Sequence, residues 1–401
     1  MAEDTSLAGS PRFLNEPASR WTILAFDDLL RWAKTVNASD IKVLPRRPVT
    51  ARINGVWSDA TRRGITSSEI FELLEGLTRS AVARSRIVSA DDHDFAYEVR
   101  INETDKARIR FRGNATGCRD GWSLGAELTL RLIADRPPSM QEISLPDEIY
   151  KSCCPQNGLV LFTGITGTGK TTSMAAILRE INLTKPWAIA TYEQPIEFDL
   201  TNMPGAKGPL TQSEIPTHFK SFAVAAKNAA RRALDIALVG ESRDAETLDA
   251  MLALAEMGHR VFSTSHTMSV SATPLRIISA FPHEKHSHAA SAFFTVVRMV
   301  VQQRLVPRLD PATGQQVGRI ALREYLEFDD GMRNRMMKVK QSEIGVEVER
   351  LVRTEGLALI DDAKVKFKEG LISDVTMNAI EYEYKDREGM RNLRKEERDV
   401  A

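Results

Sequence analysis

A chain of 401 residues exceeds what one average hydrophobic core supports, so two domains are expected, each burying a core of its own. Apolar residues make up 42% and charged residues 27%, and 54 basic against 54 acidic side chains give zero formal net charge, which excludes a nucleic-acid polyelectrolyte or a strongly acidic surface. The three cysteines, Cys118, Cys153 and Cys154, contain no CxxC pair, which excludes a disulfide framework or zinc ribbon and fits a reducing cytosol.

In chain order, residues 1–20 form a loose leader with charges at Asp4 and Glu16 and no apolar core of a signal peptide. "FDDLLRWAKTV" then predicts a helix with Asp27 and Asp28 near its start. Strands follow at "DIKVL" (40–44) and "VTARING" (49–55, ending in an Asn-Gly turn signal), then a helix at "SSEIFELLEGLTRS" and the strand pair "DFAYEVRI" and "ARIRFRGNATG". "AELTLRLI" (126–133) closes an α+β N-terminal domain spanning 21–135, and three prolines mark 136–147 as a linker.

Between 148 and 340, apolar strands alternate with helices: "GLVLFTG", a helix from Lys170 to Leu183, "WAIATYE", a helix over 218–233, "IALVGE", a helix over 245–257, and "HRVFSTSH". That alternation implies a mostly parallel sheet, hence an α/β class for this domain. "FFTVVRMVV" (293–301) is about half the length of a membrane span and carries Arg298, so any membrane contact is peripheral. Residues 341–401 turn helical and end in a charged tail, expected to be a solvated or frayed helix.

The chemistry begins at "LVLFTGITGTGKTTSM" (159–174), where Gly164, four residues and then Gly169-Lys170-Thr171 follow a strand and open a helix. This is the phosphate-binding P-loop pattern in its required context. Gly164, Thr166, Gly167, Thr168 and Gly169 supply backbone N–H groups that curl around phosphate, and the helix N-terminus adds partial positive charge. Lys170 reaches the outer phosphates, Thr171 offers a hydroxyl to Mg²⁺, and Thr172 continues the first turn.

Hydrolysis also needs acids to hold metal-bound waters and align the attacking one. Two strand ends supply candidates, Glu193 in "AIATYEQPIEF" and Glu241 in "IALVGESRD"; either alone could be a solvated rim residue. His266 ends a fourth strand, while His283, His286 and His288 lie in a polar loop and no HExxH motif exists, so zinc chemistry is excluded and a γ-phosphate contact is the role open to His266. Arg108, Arg110 and Arg112 alternate along one strand face, with Arg119 in a loop and Arg131 on the next strand. They fit either a solvated, anion-binding face or arginine fingers reaching a nucleotide on another domain or subunit.

"GITGTGKTT", "TYEQPIEF", "IALVGESRD" and "GHRVFSTSHT" resemble, in order and spacing, the Walker A, Asp box, Walker B and His box of the PilT-like type II/IV secretion and pilus motor ATPases. "RFRGNATGC", "ELTLRLI", "LTQSEIPTHF" and "GESRDAETLDA" further resemble the DotB and TraJ ATPases of Dot/Icm type IVB secretion and IncI-type conjugation, over roughly residues 21–375. The resemblance implies an N-terminal PAS-like domain, a RecA-like P-loop domain and a cytoplasmic homohexameric ring acting with inner-membrane components, peripheral to the membrane, using ATP and Mg²⁺. It assigns Lys170 and Thr171 to phosphate and metal, Glu241 to the catalytic acid, Glu193 and His266 to their boxes, and Arg112 and Arg131 to trans-acting positions.

Pilus-retraction relatives carry Glu-Asp-Pro where this chain has Glu193-Gln194-Pro195, so hydrolysis is expected to persist with altered metal coordination. The cysteine quartet of type II secretion ATPases is absent. An ATP-gated scaffold with little hydrolysis is the alternative, resting on Gln194. A nucleic-acid motor is disfavoured by zero net charge and the lack of an aromatic-basic stripe.

Overall fold

A computed structural model describes residues 12–53, 56–101, 108–133, 136–201 and 203–385. The Asn54-Gly55 turn, the first part of the leader and the charged tail from 386 onward lie outside the described residues. The chain divides into two compact units, Met1–Asp135 and Arg136–Ala401.

The first unit contains α1 (Ile23–Thr35), β1 (Ala38–Val43), β2 (Pro48–Ile53), β3 (Val56–Gly64), α2 (Ser67–Thr78), α3 (Val82–Val88), β4 (His93–Arg100), β5 (Arg108–Asp120) and β6 (Ser123–Ile133). Its six strands form an antiparallel sheet in the order β3-β2-β1-β6-β5-β4. Alternation along β5 buries Ile109, Phe111 and Ala115. These join Phe26, Leu29, Leu30, Ile70, Leu74 and Leu128 in the core. The α2 start is a capping box, with Thr66 accepting from the Glu69 amide and Glu69 accepting from the Thr66 amide.

Besides β3 and α3, which were not expected from the sequence, two details of this unit differ from expectation. The first helix begins at Ile23, capped by Thr22, because the apolar stripe of Phe26, Leu29, Leu30 and Ala33 extends its burial upstream of Asp27. Part of the leader is docked: Phe13 is buried beside Trp21 and Trp32, its amide donates to the Ala60 carbonyl, and Glu16 accepts from the Arg62 and Arg63 amides.

The second unit contains α4 (Asp147–Ser152), β7 (Gly158–Thr163), α5 (Lys170–Thr184), β8 (Ile189–Glu193), β9 (Leu210–Glu214), α6 (Phe222–Ala229), β10 (Ile236–Val239), α7 (Ala245–Glu256), β11 (Arg260–Ser265), α8 (Thr273–Ile278), α9 (His286–Val296), β12 (Val297–Leu309), β13 (Gln316–Glu327), α10 (Asp330–Met336), α11 (Ile344–Glu355) and α12 (Leu359–Lys368), then helix over 374–385. The sheet order is β13-β12-β7-β11-β10-β8-β9, parallel from β12 through β9, with β13 as an antiparallel edge.

Both sheet faces are covered, so the central strands β7, β11, β10 and β8 are buried along almost their whole length. Leu159 and Leu161 pack into one cluster with α7 and α9 residues, and Val160 and Phe162 into another with Met174, Ile177 and Ile181 of α5. "FFTVVRMVV" is the end of α9 running into the buried strand β12, which accounts for its apolar character. His283 sits on a short 3-10 turn and His286 and His288 on the first turn of α9, correcting their reading as loop residues. The helix expected over 218–233 is shorter, because Ser221 caps it at Phe222. Met140 and Leu145, inside the Pro-rich 136–147 segment, are buried in the second unit's core. No described helix is long and apolar enough to cross a membrane.

Candidate nucleotide site

Strand register brings the candidate residues to one edge. Thr163 of β7 pairs with Ser265 of β11, Ser263 of β11 with Val239 of β10, and Val239 with Tyr192 of β8. The carboxyl ends of four parallel strands are therefore level, and Gly164, His266, Glu241 and Glu193 emerge beside one another at the sheet edge where α/β folds place ligands.

The loop between β7 and α5 is wound by glycines in the left-handed region. Gly164 has φ 140°, and a Cβ there would come 2.5 Å from the Gln303 carbonyl oxygen, so only glycine permits β12 to back the loop this closely. Thr168 is buried and its hydroxyl donates to the Ile165 carbonyl at 2.9 Å, while Thr166 and Gly167 face solvent. Lys170 is buried, its Nζ donating to the Gly164 carbonyl at 2.6 Å and the Ile165 carbonyl at 3.1 Å. Burial lowers its pKa, while the charges of Glu241 and Glu197 oppose that shift. A buried ammonium held by carbonyls at a helix N-terminus is a ready anion site. Thr171 and Thr172, on the first turn of α5, are partly exposed.

The acids differ in environment. Glu241 Oε1 accepts from Arg243 at 2.7 Å and lies 3.1 Å from His266 Nε2, with both carboxylate and ring partly exposed. Glu193 is buried, and its Oε1 accepts from the Thr191 hydroxyl at 2.6 Å and from Gln212 Nε2 at 3.0 Å. Burial pushes its pKa up, with the hydrogen bonds from Thr191 and Gln212 opposing. The backbone near these acids is tied as well, since Thr264 donates to the Gly240 carbonyl and Ser242 to the Thr264 carbonyl.

Three residues here lie outside the candidates that the sequence motifs supply, Gln303, Gln212 and Arg232. Gln303 of β12 is 2% exposed and donates to the Thr168 carbonyl at 2.7 Å. Its signal is the polar pair Gln302-Gln303 directly after the apolar run Met299-Val300-Val301. Arg232 donates to the Tyr192 hydroxyl and to Thr211 beneath the Glu193 strand.

The arginines lie in the first unit. Arg112 of β5 and Arg131 of β6 are direct cross-strand partners, and Arg131 Nε donates to Asp40 Oδ1 at 2.8 Å. Arg108 and Arg110 both pair with Glu98, and Arg119 lies over the Trp122 ring at 5.5 Å.

A mostly parallel sheet with this loop, a buried lysine and a carboxylate two residues past the end of β10, one strand removed from β7, defines a P-loop ATP hydrolase. The chain belongs to the type II/IV secretion system protein family, whose model matches residues 121–399. It is 29% identical over 308 residues to the type IV pilus ATPase PilU of Pseudomonas aeruginosa, covering 76% of each chain. Among solved structures it resembles the Legionella pneumophila ATPase DotB at TM-score 0.83 and 34% identity, covering 92% of this chain and 99% of that one. It also resembles the pilus retraction motor PilT with bound ADP at TM-score 0.73 and 28% identity, covering 87% and 94% respectively.

Proposed function

We propose that this chain is the Mg²⁺-dependent ATPase motor of a type IVB secretion or plasmid conjugation machine, working as a cytoplasmic homohexamer docked on inner-membrane components. The observation that carries the reading is the likeness to DotB over nearly the whole of both chains, together with the stretches "RFRGNATGC", "LTQSEIPTHF" and "GESRDAETLDA". On this reading the first unit is the PAS-like domain, the second is RecA-like, and closure and opening between them turn nucleotide binding into motion.

In the proposed reaction, Glu241 aligns a water whose oxygen bonds to the γ-phosphorus as the bond to the β-bridging oxygen breaks, releasing ADP and phosphate. Lys170 and the α5 N-terminus balance the charge that develops, and His266, beside Glu241, contacts the γ-phosphate. Arg112 and Arg131 complete the site from another subunit. The donors fit Mg²⁺: Thr171 offers a hard hydroxyl oxygen, Glu193 and Glu241 act through water, and no cage of three or more His, Cys, Asp or Glu side chains occurs among the described residues. Bound there, the ion would be held through the Thr171 hydroxyl and would neutralise part of the phosphate charge.

The test is phosphate release by the purified protein with Mg²⁺ and with EDTA, alongside a mass measurement of the assembly with and without ATP. Mg²⁺-dependent turnover, abolished in Lys170→Ala, together with a sixfold mass supports the reading. Retained ATP binding without turnover would favour the scaffold alternative.

A further inference from the structure

Three side chains behind the P-loop form a closed polar network in an otherwise apolar layer. Gln303 of β12, Arg323 of β13 and Ser173 of α5 are 2%, 2% and 1% exposed. Gln303 and Arg323 are direct cross-strand partners. Gln303 Nε2 donates to the Thr168 carbonyl at 2.7 Å, and its Oε1 accepts from Ser173 Oγ at 2.8 Å and from Arg323 Nε at 3.1 Å. The amide orientation is forced, since a carbonyl can only accept and a guanidinium N–H can only donate. The other two Arg323 nitrogens donate to the Ser144 carbonyl at 2.8 Å and the Ile143 carbonyl at 3.2 Å. Those carbonyls belong to the Pro-rich segment that begins the second unit, and the segment's own turn is closed by bonds from the Ser144 and Leu145 amides.

The bond to Thr168 has a directional consequence. The peptide between Thr168 and Gly169 is planar and trans, so its C=O and N–H point in opposite directions. Holding the carbonyl toward β12 aims the Gly169 N–H away from β12. Gly169 sits at φ 83°, the left-handed position from which α5 starts, and a Cβ there would lie 2.9 Å from Gln303 Nε2. The glutamine therefore sets the plane of the last loop peptide before Lys170, and the arginine that orients it also grips residues 143–144.

We propose that Gln303 is a positioning residue for nucleotide binding, which fixes the Gly169 N–H toward phosphate and, through Arg323, couples the state of the P-loop to the 143–144 turn. This rests on the nucleotide-binding reading of the loop. Gln303 touches no substrate, so its effect falls on affinity and on the coupled turn rather than on the chemical step.

Gln303→Glu separates the roles, because a carboxylate still accepts from Ser173 and Arg323 but faces the Thr168 carbonyl without a donor. Titration with a fluorescent N-methylanthraniloyl-ADP is expected to show affinity weakened roughly tenfold, the cost of an unpaired buried acceptor, with KM for ATP rising in step and kcat at saturating ATP nearly unchanged. Hydrogen exchange at the Ser144 and Leu145 amides is expected to change on adding ADP to the wild-type protein and to lose that response in Gln303→Glu. A folded Gln303→Glu protein that binds within twofold of wild type and keeps the exchange response overturns the proposal. If that variant does not fold, Gln303→Met, which removes the donor to Thr168 without adding a charge, decides: weakened binding of several-fold supports the proposal, and binding within twofold overturns it. Lys170→Ala is the control, since undiminished ADP binding there would remove the nucleotide reading itself rather than the role of Gln303.

Discussion

His266 Nε2 lies 3.1 Å from Glu241 Oε1, although the two residues end different strands and are 25 positions apart. The ring at the end of β11 and the carboxylate beyond β10 therefore share one oxygen, which Arg243 also holds. Glu241→Gln keeps the size and the neighbours while removing the charge, and is expected to lower phosphate release at least about 100-fold with ADP affinity retained. His266→Ala is expected to lower it less, because Arg243 remains. Normal turnover in Glu241→Gln would take this carboxylate out of the reaction.

Glu193 carries a pH signature. Its pKa is raised from 4.5 in the folded chain, so the native state holds the proton more tightly than the unfolded state. Stability is therefore greatest below pH 4.5 as far as this group is concerned, and falls as pH rises through the raised value. In Glu193→Gln that decline is expected to vanish, so the variant's melting temperature gains on the wild type as pH rises through this window. Melts across pH 4 to 8 check the prediction, and parallel curves would contradict it.

In the first unit, Glu69 gathers Arg63, the Trp21 amide and both the amide and hydroxyl of Thr66. Burial works to raise its pKa, but the hydrogen bonds from Arg63, Thr66 and Trp21 outweigh it and hold the group at about 2. Its stabilisation is fully present above 4.5 and lost as pH falls toward about 2. Glu69→Ala is expected to destabilise the unit by about 2 kcal/mol, through the lost cap and the donors left unpaired. Denaturant unfolding followed by tryptophan fluorescence reads it through the buried Trp21; a change under about 0.5 kcal/mol would show that the network contributes little.

The trans role proposed for Arg112 and Arg131 is open to complementation. Arg131→Ala and Lys170→Ala proteins, each inactive alone, are expected to regain part of the turnover when mixed, because a mixed ring contains sites with one intact lysine and one intact arginine. No recovery at any mixing ratio, with mixed rings seen by mass, would place the arginine in the same subunit as its lysine or outside the reaction.

Much of the second unit was legible because its signals are local. "GLVLFTG" is an apolar run closed by glycine, and the P-loop follows in the next eight residues, so strand, loop and helix start share one short window. Strand ends at Glu193 and Glu241 were readable for the same reason. The β12 strand was not, because a strand buried on both faces has no alternation and "FFTVVRMVV" also carries the last turn of a helix. In the first unit α1 was placed late, since Thr22 caps it ahead of the first clearly periodic apolar positions.

Residue order alone determined the family, the nucleotide chemistry and the lysine, because a phosphate loop needs particular residues at particular spacings within one turn of chain. The tertiary structure decided which acid is buried and which is open, since exposure depends on packing around the strand ends: Glu193 lies beneath Gln212 and Thr191, and Glu241 stands beside His266. It also decided that a glutamine 135 residues from Thr168 holds the loop's carbonyl. That contact follows from β12 lying parallel against β7, and hydrogen bonds across a sheet join residues whose distance along the chain carries no trace of the pairing.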